Sequence, residues 1–169
     1  YEVSKREVWD VAAADTKGLE QWYKSHKDTY KWEKPRFKGF VFHCKNAKNA
    51  KAVKKLLKKY GEGDWRKELK QQFNKDSVTV SVSGPYLCTQ GENATIDAYA
   101  FKTDAKAKTP TGYVMTGVSG KVMKQPKSYL DVKAQVTSDY QAECEKNWVE
   151  KLRKQFTFSV NEDVLKTVK

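Results

Sequence analysis

An apolar stripe near the end of the chain constrains the fold more than any other feature of the sequence. Between residues 129 and 156, apolar side chains recur at four-residue spacing: Val132, Val136, Tyr140, Cys144, Trp148, Leu152 and Phe156. This spacing predicts one long amphipathic helix, which must bury its apolar face against a partner. Residues 4–30 have comparable helical character, with a second apolar face around Leu19 and Trp22. We therefore expect the two ends of the chain to pack together around an inserted domain.

The composition is that of a folded protein with a dense charged surface. The chain has 169 residues, of which 32% are charged and 12% are aromatic. No apolar run approaches the roughly 18 residues that a membrane span requires. The chain starts at Tyr1 without a visible signal peptide, so we expect a piece of a longer, processed protein. Membrane association is then expected only through upstream sequence.

The charge excess is carried almost entirely by lysine. Lysine and arginine total 33 against 21 acidic residues, which gives a net charge of +12, yet the arginines are only Arg6, Arg36, Arg66 and Arg153. Bidentate recognition of phosphates and bases favours arginine, so this excess argues against nucleic acid as a partner. The densest lysine run, residues 45–59, has the pattern of a surface helix on a core. It could still attract acidic partners in a salt-sensitive way.

The cysteines and histidines offer little material for a reactive or metal site. Cys44, Cys88 and Cys144 are odd in number, which excludes a fully paired disulfide framework. His43 directly precedes Cys44, but neighbouring residues of a strand point to opposite faces, which disfavours a nucleophile and base pair. With His26 as the only other histidine, the sequence predicts no zinc site.

The first half of the inserted domain is predicted to contain a strand, two helices and a second strand. Residues 36–44 form a short apolar run of strand type, and the lysine-rich helix follows it. A further helix is expected to begin near Asp64. Alternation of valine with threonine and serine over residues 78–82 predicts a half-buried strand that ends at the turn Gly84-Pro85.

The second half of the domain is less regular. Residues 92–101 fit either a short helix or a strand. Residues 113–124 predict a closing hairpin with a tight turn at Ser119-Gly120. Pro126 then ends the domain before the long helix begins.

This order of elements resembles the parvulin-type peptidyl-prolyl isomerase domain of bacterial extracytoplasmic foldases. Residues 126–132, Asp139-Tyr140-Gln141, Trp148, Leu152-Arg153-Lys154 and the strand Thr157-Phe158-Ser159-Val160 are similar to the segment that follows the last isomerase domain in such proteins. Residues 19–27 and Tyr30-Lys31-Trp32 are similar to the helix that leads into the first parvulin strand. The resemblance covers essentially the whole chain.

The resemblance implies an α+β fold, with a small antiparallel or mixed sheet, covering helices, and long N- and C-terminal helices that frame them. Residues 1–34 would form the N-terminal helical segment and residues 35–125 the parvulin-like domain. Residues 126–169 would form the long helix and a short strand that pack with the N-terminal helices.

The resemblance also implies a function. The chain would be a foldase or chaperone module of the bacterial periplasm or another extracytoplasmic site, and it would bind unfolded or proline-containing exported polypeptides without a cofactor. Parvulins place one histidine in the first strand and one in the last. Here Phe40 and Val122 stand at those positions, and His43 lies three residues late. The catalytic residues therefore stay unassigned, and isomerase activity is expected to be weak or lost.

An apolar proline pocket could persist without those histidines. The residues that the resemblance assigns to such a substrate-binding pocket are Phe40, Phe42, Phe101, Tyr113, Met115 and Met123. The alternative is that these six side chains simply form the core under the sheet. A second class of function also stays open, in which the chain is a basic module that binds nucleic acid or an acidic surface through its lysine-rich helix.

Overall fold

A three-stranded antiparallel sheet and a long C-terminal helix define the α+β fold, which confirms the expected class. The computed structural model describes residues 1–157, 159 and 161–167. The chain divides into two compact units. Residues 1–31 and 126–169 form the helical unit, and residues 32–125 form the sheet unit.

The elements follow one another in this order. The chain begins with α1, which joins the consecutive helical stretches Glu2–Ser4, Lys5–Trp9 and Asp10–Ala14, and continues with α2 (Thr16–Ser25) and the 3₁₀ turn Lys27–Tyr30. The sheet unit contains β1 (Arg36–Cys44), α3 (Ala50–Tyr60), α4 (Trp65–Phe73), β2 (Val80–Thr89), α5 (Ala94–Ile96 continued by Asp97–Phe101) and β3 (Met115–Met123). The chain closes with the 3₁₀ turn Tyr129–Val132, α6 (Lys133–Gln155) and α7 (Glu162–Leu165).

In the helical unit, α6 packs against α1 and α2. The Tyr140 hydroxyl donates to the Asp15 carboxylate at 2.8 Å, and Asp15 also caps α2 by accepting from the Gly18 N–H at 2.9 Å. These two hydrogen bonds hold the pKa of Asp15 below its usual value, and the one from Gly18 has the larger effect. The apolar stripe is fully buried at Val136, partly buried from Tyr140 to Leu152, and 64% exposed at Phe156, just after the helix ends.

A second set of hydrogen bonds joins α6 to the segment after α2. The Tyr30 hydroxyl accepts from the Trp22 indole at 2.8 Å and donates to Asp139 at 2.8 Å. Burial and the Asp139 carboxylate raise the pKa of Tyr30 to about 12. The strand expected at residues 157–160 falls partly on residues 158 and 160, which lie outside the described residues.

In the sheet unit, β1 is the central strand and pairs antiparallel with β2 on one side and β3 on the other. The expected hairpin at Ser119-Gly120 is wrong, because β3 runs without a turn from Met115 to Met123 and Gly120 lies opposite Gly39. The expected end of a strand at Gly84-Pro85 is also wrong. Strand β2 continues to Thr89, with a bulge in its pairing with β1 between Gly39 and Val41. Residues 94–101 adopt the helical alternative.

Alternation along β1 gives the sheet two different faces. On the first, the α3/α4 face, Phe40, Phe42 and Cys44 form a buried cluster with apolar residues of α3 and α4, and the Phe40 and Trp65 rings meet edge to face at 5.3 Å. On the second, the α5 face, Phe37 and Val41 pack with Cys88 and with Ile96 of α5.

Candidate functional site

The α5 face ends in a group of polar side chains around the C-terminal end of β1. The His43 imidazole Nδ1 lies 2.8 Å from the Thr116 hydroxyl of β3, which in turn donates to the Thr109 hydroxyl at 3.0 Å. The Tyr113 ring lies 5.8 Å from the imidazole, centroid to centroid. We call these four residues, His43, Thr109, Tyr113 and Thr116, the His43 cluster.

The strand register explains why these side chains meet. His43 is the register partner of Thr116 on β3 and of Ser81 on β2, and side chains directly opposite in an antiparallel sheet lie on the same face. Thr109 and Tyr113 reach the cluster from the loop between α5 and β3. The cluster therefore joins residues that are up to 73 positions apart in the chain.

The hydrogen bonds suit one neutral form of the imidazole. When the Thr116 hydroxyl donates to Thr109, it can accept from an N–H at His43 Nδ1. In that neutral tautomer a lone pair remains on Nε2. Burial lowers the pKa of His43 below its usual value near 6.5, so the ring is neutral at pH 7.

The cluster offers neutral hydrogen-bonding groups beside an aromatic ring. Thr116 is 3% exposed, whereas His43 and Tyr113 are partly exposed and accessible to a ligand. Neutral donors and acceptors next to apolar surface match the peptide group, which carries one N–H donor and one C=O acceptor. No carboxylate of the described residues takes part in the hydrogen bonds of the cluster, which there lacks the oriented base of a catalytic triad.

The neighbouring cysteine belongs to a different environment. Cys44 is fully buried on the α3/α4 face, on the opposite side of the sheet from His43. Burial raises the pKa of the Cys44 thiol, which keeps it protonated and unreactive. Among the residues described, no group of three or more His, Cys, Asp or Glu side chains is placed to hold a metal ion.

The six residues proposed for a proline pocket do not lie in one cluster. Phe40 and Phe42 belong to the buried cluster of the α3/α4 face, and Met115 packs against it. Phe101 packs against the other face, with Phe37 and Ile96. Tyr113 lies beside His43, and Met123 is buried near the end of β3. Their joint role in substrate binding stays a prediction, and of the six only Tyr113 is part of the His43 cluster.

The two positions at which the parvulin resemblance expects histidines face opposite sides of the sheet. Phe40 is 6% exposed and packs against Trp65 of α4. Val122 is the register partner of Phe37, which lies on the α5 face. Side chains at positions 40 and 122 therefore cannot join in one site in this sheet.

Sequence reasoning missed the hydroxyl groups that hold His43. Thr116 lies between Met115 and Val118 at the start of β3, and Ser81 and Ser83 alternate with valines on β2. This periodic placement of small polar residues was a usable signal for a polar stretch on one face of the sheet. Thr109 lies in a lysine- and threonine-rich loop and carried no such signal.

Comparison with protein-family models, with curated proteins and with solved structures gives no match for this chain. Within the described residues, no helix combines the length and the apolar character needed to cross a bilayer. The function is therefore inferred from the chain's own residues.

Proposed function

We propose that the sheet unit is a polypeptide-binding module of a foldase or chaperone. Its clients would be unfolded or proline-containing segments of exported proteins, in the periplasm or elsewhere outside the cytoplasm in a bacterial envelope. Binding needs no metal or other cofactor. The His43 cluster is the part of the module that contacts the client backbone.

One observation carries this proposal: a neutral imidazole and hydroxyl chain, His43 to Thr116 to Thr109, lies beside the Tyr113 ring on a sheet face. A peptide N–H can donate to the free Nε2 lone pair, while apolar parts of the client contact the aromatic ring. Such contacts recognise the backbone and an apolar side chain, so they tolerate many sequences. That tolerance is what a chaperone requires.

The same geometry supports weak or absent isomerase activity. Rotation about an X-Pro bond faces a barrier of roughly 20 kcal/mol, and a catalyst must stabilise the twisted amide better than the planar one. Positions 40 and 122 carry Phe40 and Val122, on opposite faces, and neither side chain has a polar group. A single imidazole at the edge of the sheet provides a contact but no enclosing pocket.

The test is binding of a fluorescently labelled, unfolded, proline-containing polypeptide with no net charge, followed by anisotropy at moderate salt. We expect His43→Ala to weaken binding about five- to tenfold, because it removes about one hydrogen bond of ~1 kcal/mol. His26→Ala, at the other histidine, is the matched control and should leave affinity unchanged. Equal affinity of the wild type and His43→Ala would exclude the His43 cluster as the binding site. No binding by the wild type would overturn the proposed polypeptide-binding function.

A proline tetrapeptide assay tests the isomerase part separately. We expect this chain to give little acceleration of cis-to-trans conversion above the uncatalysed rate. Rapid turnover that His43→Ala abolishes would contradict low activity and would make His43 a catalytic residue. It would leave the polypeptide-binding proposal in place.

A further inference from the structure

The sheet unit contains a long stretch of the chain without any negative charge. Between Glu33 and Glu62, ten basic residues occur and no acidic one: Lys34, Arg36, Lys38, Lys45, Lys48, Lys51, Lys54, Lys55, Lys58 and Lys59. Elsewhere, as at the end of α6, lysines are mixed with glutamates. The stretch therefore creates a local positive field rather than a neutral, mixed surface.

The fold places most of these charges on one side of α3. Ala50, Val53, Leu56 and Leu57 are buried against the sheet. With about 100° between successive residues, the lysines of α3 at positions 51, 54, 55 and 58 occupy an arc of about 100° on the opposite side. Lys48, in the 3₁₀ turn that leads into α3, extends this row. We call Lys48, Lys51, Lys54, Lys55 and Lys58 the lysine face; all five are exposed.

The lysine face has no acidic partner in the described part of the chain. The ion pairs there involve Lys5, Arg6, Lys24, Lys31 and Lys38, none of which belongs to it. Lys54 lies 5.9 Å from the Phe42 ring centroid, a contact that leaves its charge uncompensated. Five like charges held within three helical turns repel one another, and an anion bound to the face would reduce that repulsion.

The chemistry of the lysine face favours one kind of anion. The face has no arginine, which a site for bidentate phosphate recognition uses, and no aromatic ring on which a base could stack. The apolar residue between these lysines is the small Ala52, which provides no anchor for a folded protein partner. Point charges on a flat helical surface suit a diffuse, planar layer of negative charge.

We propose that the lysine face docks this unit on the surface of an anionic phospholipid bilayer. The contact is electrostatic and peripheral, since α3 presents no large exposed apolar side chain that could enter the acyl region. This interaction is separate from the polypeptide binding assigned to the His43 cluster.

The experiment is cosedimentation of the full chain with vesicles. We expect binding to phosphatidylcholine vesicles that contain phosphatidylglycerol, loss of that binding at high salt, and no binding to pure phosphatidylcholine. The variant Lys51→Gln, Lys55→Gln, Lys58→Gln should lower the partition coefficient roughly a hundredfold, about fivefold for each lysine removed. Glutamine keeps the helix propensity, and circular dichroism of the variant checks that α3 is intact.

The matched control removes the same net charge from another helix. Lys146→Gln, Lys151→Gln, Lys154→Gln changes three exposed lysines of α6 that stand among glutamates, and we expect a less than fivefold change in vesicle binding. An equal loss in both triple variants would overturn the proposal, because net charge alone would then explain binding. Tighter binding to a DNA duplex or to polyglutamate than to anionic vesicles, at equal charge and salt, would also overturn it in favour of a soluble polyanion.

Discussion

The two faces of the sheet use the same three strands for different purposes. On the α3/α4 face, Phe40, Phe42 and Cys44 are all buried in one apolar cluster. On the α5 face, the apolar packing of Phe37 and Val41 gives way to the polar His43 cluster within one strand. The first face is apolar from Phe40 to Cys44, after Arg36 and Lys38 at the start of the strand, whereas the second changes from apolar to polar over that same stretch.

This difference separates folding from binding in the sheet unit. A fully apolar face contributes stability wherever its volume is filled, and it offers a ligand no polar contact. A face that is half apolar and half polar contributes less to stability, but it exposes hydrogen-bonding groups that can bind a ligand in a defined orientation. We therefore expect substitutions on the α3/α4 face to act on stability, and those in the His43 cluster to act mainly on binding.

The largest effect is expected at the centre of the α3/α4 face. Phe42 is fully buried in the cluster with α3 and α4, so Phe42→Ala should lower the free energy of unfolding by about 3–5 kcal/mol. Urea denaturation, monitored by circular dichroism, measures this loss of stability. The control Val78→Ala, at a side chain that is 55% exposed, should change stability by less than about 0.5 kcal/mol. A loss below about 1 kcal/mol for Phe42→Ala would show that this face is not the main core.

The elements with long, regular patterns could be predicted from the sequence. The four-residue spacing from Val132 to Leu152 leaves little choice but a long helix, and α6 is that helix. The lysine-rich helix was equally clear, because its few apolar residues fall on a single face. In both cases the local pattern and the tertiary packing agree, so the helix could be predicted without knowing its contacts with residues far away in the sequence.

The glycines of the sheet show where local patterns are insufficient. Ser119-Gly120 was interpreted as a hairpin turn, which is the usual role of such a pair. In the structure, Gly120 lies in the middle of β3 opposite Gly39, and the Phe37 ring lies over both. The sequence does not distinguish a glycine needed for packing from a glycine needed for a turn. Here the partner that distinguishes them, Gly39, lies 81 positions away.

The second prediction tests that packing role on the α5 face. A Cβ at position 120 would lie 2.3 Å from the Lys38 carbonyl oxygen and 2.8 Å from the Phe37 ring. We expect Gly120→Ala to destabilise the protein by about 1–3 kcal/mol, because backbone atoms must move apart. Gly63→Ala is the control, since a Cβ there approaches nothing closer than 3.9 Å. Equal stability of the two variants in urea would contradict close packing at Gly120.

The candidate site could be predicted only in part, for a related reason. The sequence drew attention to His43 and Tyr113. It did not determine which face of the sheet the His43 side chain would occupy or which residues it would contact there. Its partner Thr116 is fixed by the β1–β3 register, and that register depends on β3 being one strand rather than a hairpin. The error at Gly120 therefore also hid the His43 cluster.

The third prediction concerns the hydrogen bond that holds the cluster together. Thr116→Val keeps the shape of a buried side chain but removes the hydroxyl that joins His43 to Thr109, so we expect a loss of about 1–2 kcal/mol. Thermal or urea unfolding measures the loss. Thr111→Val, at an exposed position in the preceding loop, should change stability by less than about 0.5 kcal/mol. If Thr116→Val were as stable as the wild type, the hydroxyl would not be a structural part of the cluster.

The smallest effect is a dependence of stability on pH that comes from His43. Burial lowers its pKa in the folded state, so the unfolded chain binds a proton more readily than the folded one. The stability from His43 is therefore fully present above its unfolded pKa of about 6.5 and is lost as the pH falls from there toward the folded pKa. We expect the urea midpoint of the wild type to fall more steeply than that of His43→Gln between about pH 7.5 and pH 5.5, a range above the carboxylate titrations. Since His26 is present in both proteins, the difference between the two slopes isolates His43. Parallel slopes would mean that the imidazole is as well solvated in the folded state as in the unfolded chain, and the neutral ring on which the polypeptide-binding proposal depends would lose its physical basis.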